Sequence, residues 1–481
     1  MTTKKWFVSA IAALTVGSAL LPSAHAAAPE VNYSSNGQAF APETPAVLQD
    51  DRLFLPLRDV ADLLGKYVDW DDASKTALFS DKPKLTGKYA LHEHDLAEGI
   101  KFGIGSSLTH VPGDPDNVFY TTADRGPNGE IDVDGKTRRT FPLPNYTPSI
   151  YKIQLEQGKI NILETIPLKL SRKDPATGTD RITGLPNLKS RDEVPYDKAA
   201  QNVIQYDPYG LDVEGLAYNP QDDTFWISDE YGPYLVQVKR DGTLLQRIAP
   251  KGIDPALNTA LLPLKDNLPA AYLNRRQNRG AEAVGITPDG KWMFMAMQSP
   301  LRNPDKSVDN SRTLRILQID LATLKPVAEY AYITEDAGQY KDLKQSDIVI
   351  SDLVAVNEHT LLIDERDKNA GDAAQLKKIF AIDLSRATNV LGKFDDASQA
   401  GKTLEQLSLT ELRQAGVQTP VKRTVLDAVE FNYPNEKIEG VSLVDGHTLV
   451  IVNDNDFGVN DPESKENGTD LWTFELPYDI K

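Results

Sequence analysis

Acidic residues recur along this chain in one fixed setting, and carboxylates gathered in that way can hold a metal ion. In each copy an acidic or small residue opens a short apolar strand. A turn follows, and a second apolar strand runs into further acids. The fullest copy is VEGLAYNPQDDTFWISDEYGP, Val213 to Pro233. Others begin at Ala281, Ser351 and Ile438, and a looser one begins at Gly105. The opening position holds Ser106, Glu214, Glu282, Asp352 and Glu439. The end of the second strand holds Asp124, Asp229 with Glu230, Asp364 with Glu365, and Asp454 with Asp456, whereas the copy from Ala281 has Met297-Gln298 there. Antiparallel pairing brings the two positions to one end. Carboxylates crowded together cannot all stay ionised. A divalent cation relieves that repulsion, and oxygen ligands without thiol or imidazole favour calcium or magnesium over zinc. The expected ligands are Asp124, Glu214, Glu282, Asp352, Asp364, Glu365, Glu439, Asp454 and Asp456, and the expected ion is calcium. The competing reading is that these acids accept backbone amides and fasten strands. It is most serious for Glu214, Glu282 and Glu439, each followed by a small residue.

Basic residues are sparse but stand beside these acids. Arg125 follows Asp124, Arg279 precedes Glu282 by three, Arg366 and Lys368 follow Asp364-Glu365, and Arg302 follows the second strand of the third copy. Guanidinium groups beside a bound cation would make a site for a phosphate ester, with Arg125, Arg279 and Arg366 as its basic residues. Glu230 or Asp229 would orient or deprotonate water. Plain ion pairing with neighbouring acids is the alternative. Two loops alternate oxygen ligands, Asn128 to Gly135 and Asn453 to Gly458, but neither completes an EF-hand. There is no G-x-S-x-G elbow, no R-H-G run and no H-E-x-x-H. The chain has no cysteine, which removes thiolate nucleophiles, disulfides and Cys-ligated zinc.

Repetition of a four-strand unit every few tens of residues is the signature of a β-propeller. The fold expected is all-β: five countable blades, six if an interruption hides a degenerate one, preceded by a small α+β module. A β-sandwich followed by a second β domain is the alternative. Inner strands line a propeller's channel, so the recurrent acids should meet at one rim. Closure needs a strand shared between the chain's ends, and KYALHEHDL, Lys88 to Leu96, is placed to be the outer strand of the last blade. Long interruptions at 171–207, 250–278 and 395–422 should cover one face.

Lys4-Lys5, the apolar run Trp6–Leu21 and Ala24-His25-Ala26 read as a secretory signal peptide, residues 1–26. The mature protein is expected to be secreted and free of the membrane, and secretion without cysteine suits a Gram-positive exporter. The formal net charge of -18 makes nucleic acid and anionic membrane surfaces unsuitable partners and divalent cations natural ones. The sequence fixes no oligomeric state. Residues 27–44 read as a linker. Residues 45–82 give a strand, a helix over Leu57–Leu64 opened by Pro56, a strand ending in Trp70 and a last strand. The LPLR run, the helix and the W-D-x-x-x-K turn resemble the copper amine oxidase N-terminal domain, an accessory module. The stretch has no His, Cys or Met for copper, so it reads as a spacer or a cell-wall attachment module.

The propeller region, 88–481, brings a second resemblance. DRGPNG at Asp124–Gly129, EGLAYNPQDDTFWISDEYGPYL at Glu214–Leu235, NRGAEAVGITPDG at Asn278–Gly290 and EGVSLVDGHTLVIVNDNDFG at Glu439–Gly458 are similar to the family called esterase-like activity of phytase. That resemblance implies a secreted β-propeller hydrolase of phosphate or other esters, dependent on calcium. By motif it carries over to Asp124, Arg125, Glu214, Asp229, Glu230, Glu282, Glu439 and Asp454. Three functions stay open: a metal-dependent phosphoesterase, a lactonase or carboxylesterase, and a non-catalytic calcium-stabilised propeller that binds a polymer or protein. One fold hosts all three.

Overall fold

The computed structural model describes residues 33–35, 38–40, 46–92, 94–397, 401–459 and 468–481, with side chains from 46 onward. The signal segment and most of the linker lie outside the described residues. The chain divides into two compact units, 1–64 and 65–481. In the first, Val47–Gln49 pairs with Arg52–Phe54, and Leu57–Leu63 forms a short helix behind Pro56. The pyrrolidine ring presets the helical entry there.

The second unit is the propeller. Among the described residues its sheets group into five blades. Each blade packs against neighbours on both faces, so central strands such as Val118–Thr122 and Thr224–Asp229 are buried throughout and read as near-continuous apolar runs. Blade 1 is built on Val118–Thr122, Ser149–Glu156 and Lys159–Pro167, with Thr109 bridged to Tyr120 on its inner side. Blade 2 runs Val213–Asn219, Thr224–Asp229, Tyr234–Lys239 and Leu244–Pro250, and Leu264–Leu268 adds a fifth, parallel strand. Blade 3 runs Ala281–Ile286, Trp292–Met297, Thr313–Asp320 and Lys325–Ile333. Blade 4 runs Val349–Ala355, Thr360–Arg366, Lys377–Asp383 and Val421–Asp427.

Blade 5 closes the ring. Gly440–Val444, Thr448–Val452 and Asp470–Glu475 come from the end of the chain, and its fourth strand, Lys84–Leu91, comes from near the start. The closing strand thus begins four residues before the expected Lys88. It also touches the outer strand of blade 1 through Lys159↔Ala90 and Ile160↔Leu91.

The hairpin Lys66–Asp71/Thr76–Asp81, expected as part of the small module, packs on the outer strand of blade 4. Asp69 accepts the Thr424 amide at 2.7 Å and its hydroxyl at 2.8 Å. Tyr67 Oη accepts the Asp427 amide at 3.0 Å. These bonds satisfy the outer edge of blade 4 and cover a sheet edge that would otherwise be open. The interruption at 395–422 is tied to blade 3, where buried Arg315 meets Asp395 at 2.6 Å, Glu405 at 2.6 Å and Glu329 at 3.1 Å.

Candidate functional site

The recurrent acids reach the channel through a backbone irregularity. In blades 2, 3 and 4 the register shifts at the opening of the inner strand, between Val213 and Leu216, Ala281 and Ala283, and Ile350 and Leu353. Each shift contains the acidic residue: Glu214, Glu282 or Asp352. A β-bulge bends its strand and re-aims a side chain, and Glu214 is the one of the three that joins a carboxylate cluster among the described residues. Gly215 lies inside the first bulge. A Cβ there would stand 2.8 Å from the Val284 amide nitrogen, so only glycine lets the inner strand of blade 3 come this close.

Two carboxylate clusters form at this rim. Oxygens of Asp124, Asp454 and Asp456 lie within 4.8 Å of one another, and so do oxygens of Asp212, Glu214 and Glu230. Asp124 Oδ1 accepts the Gly126 amide at 2.7 Å, which fixes the DRGP turn. Asp454 accepts Ser106 Oγ at 3.3 Å and the Asp456 amide at 3.1 Å. Glu230 Oε1 accepts the Gly280 amide at 3.3 Å. Glu282 is bonded through one oxygen to Gln298, while its other oxygen is buried without a partner. Glu439 lies 2.7 Å from Arg366 and 3.4 Å from Lys437, which also holds Asp456 at 2.7 Å.

Arg125 is the central base. Its Nη1 lies 3.0 Å from Asp212 and 3.1 Å from Glu193, and its Nη2 lies 3.9 Å from Glu230 and bonds the Asn278 amide oxygen. Arg279 donates to Ser299 Oγ at 2.7 Å and to the Ser346 carbonyl at 2.8 Å. Burial and neighbouring Arg276 push it down to about 10. Lys368 falls to about 8, through burial and the charges of Arg279 and Arg366.

Burial raises every acid of the two clusters that shifts, and mutual repulsion adds to it. Glu230 is pushed up to about 8 by burial and by Asp212, against the opposing pull of Arg125. Asp454 rises to about 7 by burial, with Asp456 and Glu439 adding and Lys437 opposing. Asp124, Glu214 and Glu282 are raised for the same reasons. Hard oxygen donors and unrelieved charge suit a divalent cation. The buried Tyr146 hydroxyl lies near the charges of Asp124 and Asp454, and burial pushes it up.

Several expected site residues are engaged by the chain's own groups outside the two clusters. Asp229 is wholly buried, with one oxygen accepting the Asp212 amide at 2.8 Å and the other the amides of Tyr231 and Gly232. It is a turn latch. Asp352 accepts the amides of Leu353 at 2.8 Å and Val441 at 2.7 Å, and so fastens blade 4 to blade 5. Glu365 accepts Tyr332 Oη at 2.6 Å, Lys422 at 2.8 Å and the Glu335 amide, joining blade 4 to blade 3. Asp364 is enclosed near Arg366 and Lys377 and belongs to neither cluster. Arg366 pairs with Glu439 as well as with Ser351 Oγ at 2.8 Å. Arg302 forms a two-pronged pair with Asp309, both bonds 2.8 Å. The Asn128–Gly135 loop is the hairpin Gly129–Val133/Lys136–Thr140, where Asp132 accepts Thr137 Oγ1 and Glu130 pairs with Arg139. The Asn453–Gly458 loop does supply Asp454 and Asp456 to a cluster. Asp212, Glu193 and Lys437 were not expected. Asp212 stands two residues before Glu214, a spacing that could have marked it, whereas Glu193 comes from the 171–207 interruption and carries no such mark.

A cavity of about 820 Å³ lies at the other end of the inner strands. Leu216, Val284, Leu353 and Val441 line it. The titratable groups converge at the opposite rim, and the chemistry follows them rather than the volume.

A family model described as esterase-like activity of phytase matches residues 100–457. A second, the copper amine oxidase N-terminal domain, matches residues 33–87. An uncharacterized secreted protein of Arthroderma benhamiae is 30% identical over 312 residues, covering 57% of this chain and 60% of its own. The chain thus spans about three fifths of that relative's length. Among solved structures, the RRP9 WD40 repeats give a TM-score of 0.35 at 11% identity, over 82% of this chain and 100% of theirs. The PQQ-bound aldose sugar dehydrogenase of Streptomyces coelicolor gives 0.32 at 10% identity, over 82% and 99%.

Proposed function

This chain belongs to the phytase-like family, esterase-like activity of phytase, and from that premise we propose that it is a secreted, calcium-dependent hydrolase of phosphate esters. The observation that carries the reading is the meeting of two carboxylate clusters and several guanidinium groups at one rim. Asp124, Asp454 and Asp456 would hold the cation, with Glu439 and Glu282 beside them. A bound divalent cation supplies charge neutralisation and polarisation of the phosphoryl oxygens.

The chain's own residues account for the rest. Arg125 and Arg279 present fixed positive charge to a phosphoryl group, and Arg366 holds Glu439 in place. Glu230, pushed up to about 8 by burial and Asp212, takes the proton of the attacking water as the new P–O bond forms and the ester P–O bond breaks, and the leaving oxygen takes a proton from solvent. The Gly280 amide and the tight SDEYGP turn hold that carboxylate still. Secretion is supported by the A. benhamiae relative's description, and no helix among the described residues is long and apolar enough to cross a membrane.

The test is hydrolysis of a panel of phosphate monoesters, carboxyl esters and lactones, with calcium and with excess chelator. Phosphate release that chelator abolishes is the expected result. Calcium-dependent cleavage of carboxyl esters or lactones alone would replace this reading with the lactonase or carboxylesterase one. Inactivity on every substrate would leave a binding propeller.

A further inference from the structure

The two carboxylate clusters look equivalent as sets of oxygens, but they differ in what already fills them. Asp124 and Arg125 are adjacent in the DRGP turn, and they point into different clusters. Asp124 joins Asp454 and Asp456, while the Arg125 guanidinium enters the set of Asp212, Glu214 and Glu230. Only 6% of the Arg125 side chain is exposed. Besides Asp212 at 3.0 Å it meets Glu193 at 3.1 Å, Glu230 at 3.9 Å and the Asn278 amide oxygen.

This is a built position rather than a resting place for a loose side chain. The Arg125 backbone is packed so closely on Gly184 that a Cβ there would stand 1.7 Å from the Arg125 carbonyl oxygen. The Tyr231 ring lies 5.8 Å from the guanidinium carbon. An arginine cannot give up its proton in a protein, so its charge is permanent.

The other cluster is held differently. Its basic neighbour, Lys437, reaches Asp456 at 2.7 Å and Glu439 at 3.4 Å. No base is ion-paired to Asp124 or Asp454 among the described residues. The guanidinium thus enters one cluster directly, whereas the lysine stands beside the other and pairs with neither Asp124 nor Asp454.

We infer that Arg125 is a resident cation in the Asp212/Glu214/Glu230 cluster, so that the rim takes one divalent cation, at Asp124/Asp454/Asp456, and not two. The inference rests on the calcium reading above. A second dication beside a fixed guanidinium would be repelled across a few ångströms of buried protein. Removing the guanidinium frees three carboxylates that already converge, and so creates a second cation site.

The experiment counts bound calcium by equilibrium dialysis and elemental analysis on the full mature chain, with melting as a check of folding. The wild type should bind one ion, Asp212→Asn should still bind one, and Asp454→Asn should bind none. Arg125→Met should bind two, and Arg125→Lys, which keeps a cation, should stay at one. Two ions in the wild type, with one lost in Asp212→Asn, would overturn the inference and leave the calcium reading standing. So would a folded Arg125→Met that stays at one. No ion in either the wild type or Arg125→Met would overturn the calcium reading itself. If Arg125→Met fails to fold, the Asp212→Asn and Asp454→Asn counts decide alone.

Discussion

Glu214 opens the inner strand of blade 2, Glu230 follows its second strand, and their carboxylate oxygens lie within 4.8 Å of each other and of Asp212. Two acids held so close in a buried site cost stability while both are charged. Glu230→Gln keeps the shape and removes one charge. Hydrolysis should fall by about two orders of magnitude or more, as for loss of a general base. The melting temperature should hold or rise. Asp229→Asn, one residue away, should behave in the opposite way. It weakens bonds to the amides of Asp212, Tyr231 and Gly232, and a disrupted buried hydrogen bond costs about 1–3 kcal/mol. Thermal melting and kinetics on the two variants separate the roles. An active Glu230→Gln with lowered melting would make Glu230 a fastener as well.

Calcium should raise the melting temperature. An ion that binds the folded rim and not the unfolded chain stabilises by mass action, about 2.7 kcal/mol at a hundredfold excess over its dissociation constant. Melting in excess chelator and in excess calcium measures it. Identical curves would mean that the clusters are balanced by Arg125, Lys437 and Arg366 alone.

The pH dependence of the metal-free protein has a definite sign. Glu230 and Asp454 are raised in the folded state, to about 8 and about 7, above the ordinary carboxylate values near 4 that hold in the unfolded chain. The folded form therefore binds their protons more tightly. Their contribution is most favourable below the unfolded values and is lost as pH rises through the folded ones. Melting in chelator should fall from about pH 5 to about pH 8, and calcium should restore most of the loss at the upper end. A flat or rising profile in chelator would count against the crowding of these acids.

The blades were legible because each copy of the repeat carries its own apolar strands and turn, and the ring follows from repetition. The direction of each acid was not legible. Glu214 and Asp352 both lie in a register shift, yet the pairs Val213↔Asp229 and Ile350↔Glu365 align Glu214 with Ser351 and Asp352 with Gly215. One residue along a strand reverses the face, so Glu214 joins the channel cluster and Asp352 is spent on two backbone amides. Asp364 and Glu365 show a simpler limit. Adjacent strand residues point to opposite faces, so at most one of them could line a common site, and Glu365 turns to Tyr332 and Lys422. Glu193 reaches Arg125 from a long interruption with no repeat to place it.

The closing strand should matter more to stability than everything before it. Lys84–Leu91 pairs with Asp470–Glu475 along its length, Thr86 Oγ1 donates to the Thr473 carbonyl at 3.0 Å, and the Lys88 ammonium lies 3.5 Å from the centre of the Trp472 ring. A chain beginning at Gly65 keeps this strand and the hairpin on blade 4, so it should melt within a few degrees of the mature protein. A chain beginning at His92 loses both. Blade 5 is left with three strands and an open edge along Asp470–Glu475, an invitation to pairing between molecules. That chain should unfold at a much lower temperature or aggregate, measured by calorimetry and light scattering. Equal melting of the two truncated chains would show that the ring closes through its inner strands alone, with the N-terminal strand an ornament on its edge.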